Sequence, residues 1–307
     1  MSMNYVQLYQ AIQDYSENTE SLFVNNISRF VIEAEDRIYN SVQIPSLRKN
    51  VTGTLTANNK YLSCPDDYLA TYSLAVIDDV GAYSYLLNKD VNFIREAYPI
   101  PTSVGLPKYY ALFGSQYANI NELSFILGPT PDSNYNVEFH YFYYPVSIVQ
   151  GAIAVLGAVT GGSLYTNGLY SNVALTGGSG SGATANILIS GGAVTTVTLT
   201  NPGNFYVAGD TLSCSSTYVG GSGSGFSIPV STINNSNGTS WLGDNYDPVL
   251  FYGAMREAML FMKGEQDLIK YYEDKYMEAV AQLNRLGTGL ERGDAYRDGQ
   301  AKIKVNP

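Results

Sequence analysis

Residues 241–287 decide the fold, and they read WLGDNYDPVLFYGAMREAMLFMKGEQDLIKYYEDKYMEAVAQLNRLG. Apolar side chains recur there every three or four residues, first as Leu250, Ala254, Ala258 and Phe261 and then as Ile269, Tyr272, Tyr276, Val280, Leu283 and Leu286. This spacing places them on one face of a helix, so the stretch predicts buried helices. Gly264 interrupts the pattern, which favours either one long kinked helix or a helical hairpin.

The ends of this helical stretch carry recognisable signals. Asp247 is predicted to cap the first helix, and Pro248 suits the first helical position because its missing N–H is not needed there. Gly287 is predicted to end the second helix in the left-handed conformation.

Composition limits the classes of function that the chain can have. Its 307 residues permit one large domain or two moderate ones, and the net charge is −10. An acidic chain is poorly suited to grip nucleic acid over a broad surface, although it could line a path along which DNA slides. The 27 tyrosines suit surfaces that become buried only on assembly, because tyrosine combines a large rigid ring with a polar end.

Neither the cysteines nor the apolar runs point to secretion or to a membrane. Cys64 and Cys214 lack a metal-type spacing, and nothing requires them to form a disulfide. The start MSMNYVQLYQ lacks the pattern of a signal peptide, and the longest apolar stretch, 151–159, is too short to cross a bilayer. We therefore expect no membrane partner.

The part of the chain before residue 150 divides into helical and strand-like patterns. Residues 4–15 and the stripe from Phe23 to Ile38 predict two helices that could form a bundle with the helices of 241–287. After Pro45 the period changes to two, and strands are predicted at 51–56, 61–64, 69–78, 83–87, 109–113, 122–127 and 135–144. The expected fold class is α+β, with a helical bundle packed against an antiparallel β region.

Residues 151–239 differ sharply in composition from the rest. Asp210 is their only charged residue, and GGSGSG occurs at both 177–182 and 220–225. Strand patterns persist, with a predicted hairpin turn at Gly191-Gly192. We interpret the segment as an inserted all-β module. The predicted organisation is then 1–150 for the first part of the core, 151–239 for the module, 240–287 for the long helices and 288–307 for an extended C-terminal arm.

The sequence offers no recognisable catalytic, metal or cofactor site. His140 is the only histidine, and its place among aromatic residues in a strand favours a packed or interfacial role over a catalytic one. The loop Gly177–Gly182 lacks the Lys-Ser/Thr ending of a phosphate loop. We therefore predict that the protein is not an enzyme and needs no cofactor or metal.

The C-terminal residues are the candidates for docking a partner. Lys302, Ile303, Lys304 and Val305 alternate as an edge strand would, and Arg297 adds to the basic charge of the segment. Four glycines (287, 289, 293 and 299) predict that residues 288–307 are not helical when free. An unpaired strand can dock on the edge of another chain's sheet.

Several linked stretches resemble the head-to-tail adaptor, or connector, proteins of tailed bacteriophages. They are the segment 241–287 quoted above, RFVIEAEDRIYNSVQIPSLRKNVTGTLTANNKYLSCPDDYLATYSL, LPKYYALFG and FILGPTPDSNYNVEFHYFYYP. The resemblance covers roughly residues 20–149 and 241–307. The glycine-rich segment, which the family pattern lacks, resembles small β modules of marine phage structural proteins.

The resemblance implies a structural virion protein. It would form a ring of twelve copies in the neck, made in the host cytoplasm, that joins the portal to a tail or nozzle protein around passing double-stranded DNA. Two other classes stay open at this point. One is a receptor-binding or adhesive virion protein that uses the β module as its binding head, and the other is a carbohydrate-active enzyme or secreted binding module.

Overall fold

The computed structural model describes residues 2–100, 102–115 and 122–295, with side chains described up to residue 287. The fold class is α+β, as predicted. The helices are α1 Tyr5–Ser16, α2 Ser21–Val24, α3 Ile27–Ser41, α4 Val91–Ala97, α5 Trp241–Asn245, α6 Asp247–Phe261 and α7 Gln266–Ala295, and short 3-10 turns lie at Pro45–Leu47 and Ser216–Val219.

The strands cover two separate parts of the chain. The first part holds β1 Arg48–Thr54, β2 Tyr61–Ser63, β3 Tyr68–Ile77, β4 Tyr83–Tyr85, β5 Leu87–Asn88, β6 Tyr109–Gly114, β7 Ser124–Gly128 and β8 Asn136–Tyr143. The second part holds β9 Ala152–Leu156, β10 Thr160–Ser163, β11 Gly168–Ala174, β12 Ser181–Ser190, β13 Ala193–Asn204, β14 Thr211–Leu212 and β15 Ser224–Asn234.

Two compact units share the chain. One unit holds residues 2–42 together with 146–286, so it contains β9–β15 and most of the helical residues. The other holds residues 43–145 and the end of α7 from Gly287 on. The predicted packing of the helical bundle against the region 50–144 stays a prediction.

In the first unit, the helices bury most of the apolar rows that the sequence pattern predicts, but Phe261 and Leu286 are 42% and 41% exposed. Asn4 and Gln7 form a capping box at the start of α1, and α3 and α6 bury one face each. Gly253 lets these elements approach closely, because a Cβ there would lie 3.1 Å from the Ala34 Cβ and 3.3 Å from the Tyr276 ring.

Helices α6 and α7 form a hairpin, which settles the alternative left open above. The Tyr246 hydroxyl donates to the Gln282 Oε1 (2.6 Å), and Arg256 pairs with Glu273 nearer the turn. At the turn between them, Lys263 has a positive φ of 53°, and the N–H of the next residue, Gly264, donates to the Met259 carbonyl (3.0 Å).

Two predicted helix ends are wrong. Asp247 does not cap α6, since Tyr246 occupies the cap position without a side-chain bond and Asp247 is the first helical residue. Gly287 does not end α7, which continues to Ala295. A glycine inside a helix costs only about 1 kcal/mol, and the good helix formers Leu290, Glu291 and Arg292 follow it. The first part of the predicted extended arm is therefore helical.

Strands β9–β15 of the first unit form two small sheets over one apolar core. The three-stranded sheet has the order β11-β12-β13, and β15 pairs with β9, β10 and β14 in the other. Side chains from both sheets meet in one cluster, which includes Ile187 and Ile228. The Gly191-Gly192 hairpin turn is confirmed, and both glycines have a positive φ, as a type I′ turn requires.

The first and last strands of this glycine-rich segment pair with each other. Ala152 lies opposite Asn234 in the antiparallel pair of β9 with β15. Just outside this pair, the Asn235 amide donates to the carbonyls of Ser147 (2.7 Å) and Thr239 (2.8 Å). The chain therefore leaves the segment close to where it enters.

Helices of the first unit contact this segment directly. The Asn204 side-chain amide donates to the Tyr5 hydroxyl (2.8 Å), and the Phe205 ring centroid lies 5.3 Å from that of Tyr5 and 5.4 Å from that of Tyr9. A Cβ at Gly182 would lie 2.7 Å from the Asn25 carbonyl oxygen, which shows how closely the backbones approach.

The second unit is a sandwich of two four-stranded sheets. Their orders are β1-β8-β3-β4 and β2-β7-β6-β5. Phe125 from one sheet packs in T-shaped geometry against Phe139 from the other, with a centroid distance of 5.3 Å. Helix α4 covers the far side of the second sheet through Ile94, which clusters with Ala111 and Ile126. The predicted strand 83–87 is divided between the two sheets as β4 and β5.

Candidate interaction surfaces

Within the described residues, no group of three or more His, Cys, Asp or Glu side chains could hold a metal ion. No described helix is long and apolar enough to cross a membrane. Cys64 and Cys214 are buried free thiols, and burial raises the pKa of each.

His140 lies between two polar partners that the sequence analysis did not connect to it. Its Nδ1 is 3.1 Å from the Ser73 Oγ, and its Nε2 is 3.5 Å from the Glu138 Oε1. The order Ser–His–Glu resembles a catalytic triad. Ser73 lies opposite His140 in the pairing of β3 with β8, so the three side chains share one face of the sheet. We assign these residues to a polar surface.

That surface is one face of the sheet β1-β8-β3-β4. The register places Thr52, Glu138, Ala75 and Tyr85 in one row across the four strands. The alternating positions, such as Val51, Phe139 and Leu74, point into the core between the sheets. We call the side with Thr52, Glu138, His140, Tyr83 and Tyr85 the outer face.

The outer face ends at β4, which is an edge strand. Tyr83 and Tyr85 expose 50% and 65% of their surface, a high value for aromatic side chains. The sequence analysis placed a strand here but did not identify these tyrosines as surface residues. The alternation Tyr83-Ser84-Tyr85 was the available signal, because it places both rings on one face.

Carboxylates surround this edge. Asp78, at the turn before β4, accepts from the N–H groups of Val80 (3.0 Å) and Ala82 (2.8 Å), and the neighbouring Asp79 is exposed. Asp132 accepts from the Tyr135 hydroxyl (2.6 Å), a bond that raises the pKa of Tyr135 to about 12, with further contributions from Asp79 and Asp78. On the outer face, the charge of Glu138 raises the pKa of Tyr83.

The opposite edge of the same sheet has a different character. Arg48 in β1 lies over the rings of Tyr72 (3.9 Å) and Phe142 (5.0 Å), and Lys49 pairs with Asp67. The Tyr141 hydroxyl also donates to Asp67 (2.7 Å). The β4 edge of the sheet is therefore acidic, whereas the β1 edge carries cations that are already engaged.

In the first unit, a buried acid lies where the chain leads into the glycine-rich segment. Glu35 of α3 is only 2% exposed, and its Oε1 accepts from the Ile148 N–H (2.9 Å). Burial is the main cause that raises the pKa of this carboxyl to about 7.

The first unit also contains a cleft of about 390 Å³ between α2–α3 and the sheet β11-β12-β13. Its polar lining is mostly amides and hydroxyls, such as those of Asn172 and Thr184. Arg29, which also lines it, already pairs with Glu33 (2.7 Å). The cleft thus presents no unpaired charge among its lining residues.

The sequence-predicted docking residues Arg297, Lys302, Ile303, Lys304 and Val305 lie outside the described residues. The structure brings none of them to a described surface, and their role stays a prediction.

The protein thus presents an exposed aromatic sheet edge and a polar cleft to other molecules. Its sequence matches the SU10 adaptor protein family over residues 3–174, which is more than half of the chain. The protein belongs to this family, whose members are structural proteins of bacteriophages. No curated protein matches the chain.

Family membership confirms the coarser part of the sequence-based prediction. The chain is a phage adaptor that associates with other virion components. The match ends at residue 174, inside the predicted module, and residues 241–287 lie beyond it.

Proposed function

We propose that this adaptor forms a closed ring of twelve copies in the virion neck, between the portal and a tail or nozzle protein. The observation that carries the proposal is membership of an adaptor family by a chain whose described surfaces are built for contact. A ring would align the two partners around the channel through which DNA passes.

The outer face supports such a role through its chemistry. Tyr83 and Tyr85 offer rigid rings with polar ends, which are enriched where proteins meet. A ring of one kind of subunit needs two different surfaces on each copy, because copies arranged in a circle make heterologous contacts. The outer face with its acidic edge is one candidate surface.

The charge of the chain fits a channel that does not retain DNA. At −10 the protein repels phosphates overall, so it should bind duplex DNA weakly at physiological salt. Tight, strongly salt-dependent binding by the purified protein would count against this part of the proposal.

The C-terminal residues are proposed to connect the adaptor to its neighbours. Arg297, Lys302, Ile303, Lys304 and Val305 combine basic charge with a strand-like alternation. Such a segment could pair with a strand of the portal or of another copy through backbone hydrogen bonds.

Residues 151–239 are proposed to be an inserted module rather than part of the ring-forming core. Two observations support this: the segment has its own apolar cluster, and its first and last strands pair. Its contacts with Tyr5 and Tyr9 indicate that removal would uncover aromatic surface on α1.

Electron microscopy of the purified protein and of virion necks tests the proposed function. A closed ring located between portal and tail is the expected result. Trimers or filaments, or a position at the far end of the tail, would favour a receptor-binding protein instead. Analysis of mass in solution supplies the copy number, for which twelve is the expected value.

A further inference from the structure

The free edge of β4 offers hydrogen-bonding groups to another strand. The Ala82 carbonyl and the Leu86 N–H both bond towards β3, to the Asp78 N–H (3.1 Å) and the Leu74 carbonyl (2.9 Å). Backbone groups alternate sides along a strand, so those of Ser84 also face β3. The N–H and C=O groups of Tyr83 and Tyr85 therefore point away from the sheet, where no strand of the described residues pairs with them.

An added strand would meet two different environments at this edge. On the outer face it would lie beside Tyr83 and Tyr85, near the acidic turn at Asp79. On the inner face it would lie beside the apolar core that contains Leu86. The edge thus selects a strand that is basic on one face and apolar on the other.

Residues 301–305 of this chain, Ala-Lys-Ile-Lys-Val, have that pattern. In an extended conformation Lys302 and Lys304 share one face, and Ala301, Ile303 and Val305 share the other. Lysine ammonium groups are attracted both to carboxylates and to tyrosine rings. The five residues 296–300 between α7 and this segment can span at most about 17 Å when extended.

We propose that residues 301–305 of a second copy of this chain add as a strand to the free edge of β4, with their lysines on the outer face. This inference rests on the proposed ring, in which each copy presents both an edge and a tail. One copy's tail on its neighbour's edge is a heterologous contact, and such contacts close into a ring when the rotation permits.

Disulfide trapping between two populations of full-length chains tests the pairing. One population carries Tyr85→Cys and the other carries Lys304→Cys, with Lys302 retained. The native Cys64 and Cys214 are buried, so their background reaction is low. The matched control is Tyr72→Cys, because Tyr72 lies in the same sheet and is 56% exposed. The expected result is disulfide-linked chain pairs that form at least ten times faster with Tyr85→Cys than with Tyr72→Cys.

Several outcomes of this trapping experiment would overturn the proposal. Equal rates for the two variants, or no linked chains, would do so. A separate chain that carries both Tyr85→Cys and Lys304→Cys supplies a further test, because a disulfide that forms only within that chain would show that the tail docks on its own copy. Electron microscopy of the same samples distinguishes the edge pairing from the proposed ring. Rings without linked chains would contradict the edge pairing alone, and linked chains without rings would contradict the ring alone.

A second pair of variants isolates the backbone hydrogen bonds. Tyr85→Pro and Tyr85→Ala both remove the ring, but only proline also removes the outward N–H, and the ladder to β3 does not use that group. In each variant, linking is measured between Ser84→Cys and Ile303→Cys, which lie on the inner face. Tyr85→Pro should slow linking at least fivefold relative to Tyr85→Ala. Equal rates, with near-ultraviolet spectra that show an intact sandwich, would exclude strand addition at this position.

Discussion

The sandwich of the second unit and the glycine-rich segment of the first are both antiparallel, but different features hold their cores together. The sandwich core is aromatic, with Phe125 in contact with the rings of Tyr68, Tyr110 and Phe139. The glycine-rich segment instead uses close approach of backbone to ring. A Cβ at Gly180 would lie 2.5 Å from the Tyr206 ring, and one at Gly223 would lie 2.5 Å from the Tyr165 ring.

The difference explains why GGSGSG occurs twice. Gly180 and Gly223 are the fourth residues of the two copies, and each covers a buried tyrosine. The sandwich is therefore sensitive to the removal of side-chain atoms, whereas the glycine-rich segment is sensitive to their addition. The first two of the following predictions test this comparison, and the last two test the contribution of charge to the first unit.

The largest effect is expected from Phe125→Ala in the sandwich. Phe125 is 1% exposed, and large-to-small substitutions of buried phenylalanine cost about 3–5 kcal/mol. Hydrogen exchange followed by mass spectrometry should show loss of protection in β3, β7 and β8. Protection in β12 and β13 should be retained, and loss of equal size there would contradict the separation of the two cores.

A smaller effect is expected from Gly180→Ala. The added methyl group would lie 2.3 Å from the Asn204 carbonyl oxygen as well as against Tyr206, and we expect a cost of about 2–3 kcal/mol in the glycine-rich segment. The matched control is Gly221→Ala. Gly221 has a φ of 79° but open space around its Cβ position, so this substitution should lower the free energy of unfolding by only about 1 kcal/mol. Urea unfolding monitored by hydrogen exchange of β12 measures both, and equal costs would show that close packing on tyrosine is not what requires glycine.

The junction between α3 and the glycine-rich segment should respond to pH through Glu35. Its pKa is raised to about 7, so the folded state favours the neutral form. The resulting cost is absent below the unfolded value of about 4.5, grows as the pH rises towards 7, and is complete above it. Glu35→Gln removes this cost while Gln can still accept from the Ile148 N–H, so the variant should be more stable by about 2 kcal/mol at pH 8 and not at pH 4.

Thermal unfolding of the wild-type protein and the Glu35→Gln variant at both pH values measures this difference. Glu33→Gln is the control, since Glu33 is on the same helix but is substantially exposed. A stability difference for Glu35→Gln that is the same at pH 4 and pH 8 would show that ionisation of Glu35 is not responsible.

The smallest effect is expected from Asp210→Asn in the glycine-rich segment. The Asp210 carboxylate accepts from the Ser179 hydroxyl (2.6 Å) and from the N–H groups of Ser179 (3.0 Å) and Val207 (2.9 Å). These bonds lower its pKa, so the stabilisation is present above about pH 4 and is lost as the pH falls. Because Asp210 is partly exposed, we expect only about 0.5 kcal/mol at pH 7 and a smaller loss at pH 2, measured by urea unfolding. An equal loss at both pH values would contradict the role of the charge.

Local patterns were enough to predict most elements from the sequence. The period of three to four residues located α1, α3, α6 and α7, and alternation located most strands. The helix ends were less predictable, because the propensity of Leu290–Arg292 outweighed the signal at Gly287. The sequence predicted one strand at 83–87, whereas the structure has two, β4 and β5, in different sheets. This division depends on tertiary pairing, which a local pattern does not contain.

The candidate surface was only partly accessible from the sequence. The resemblance to adaptor proteins came from ordered stretches of sequence, and the family match over residues 3–174 confirms the class. The outer face could not be found in this way, because Thr52, Ala75, Tyr85 and Glu138 are neighbours only through the register of four strands. For the same reason the contact of His140 with Ser73 was not predictable.

The pairing of β9 with β15 has a consequence for engineering. Directly opposed residues of an antiparallel pair have Cα atoms only about 4.5–5.5 Å apart, so Ala152 and Asn234 present two chain ends at nearly one point. Any foreign domain whose own termini are adjacent meets the same geometric requirement. If the glycine-rich segment is an insert as proposed, the junction at Gly151 and Asn235 would accept such a domain in its place, provided that the graft also covers the rings of Tyr5 and Tyr9.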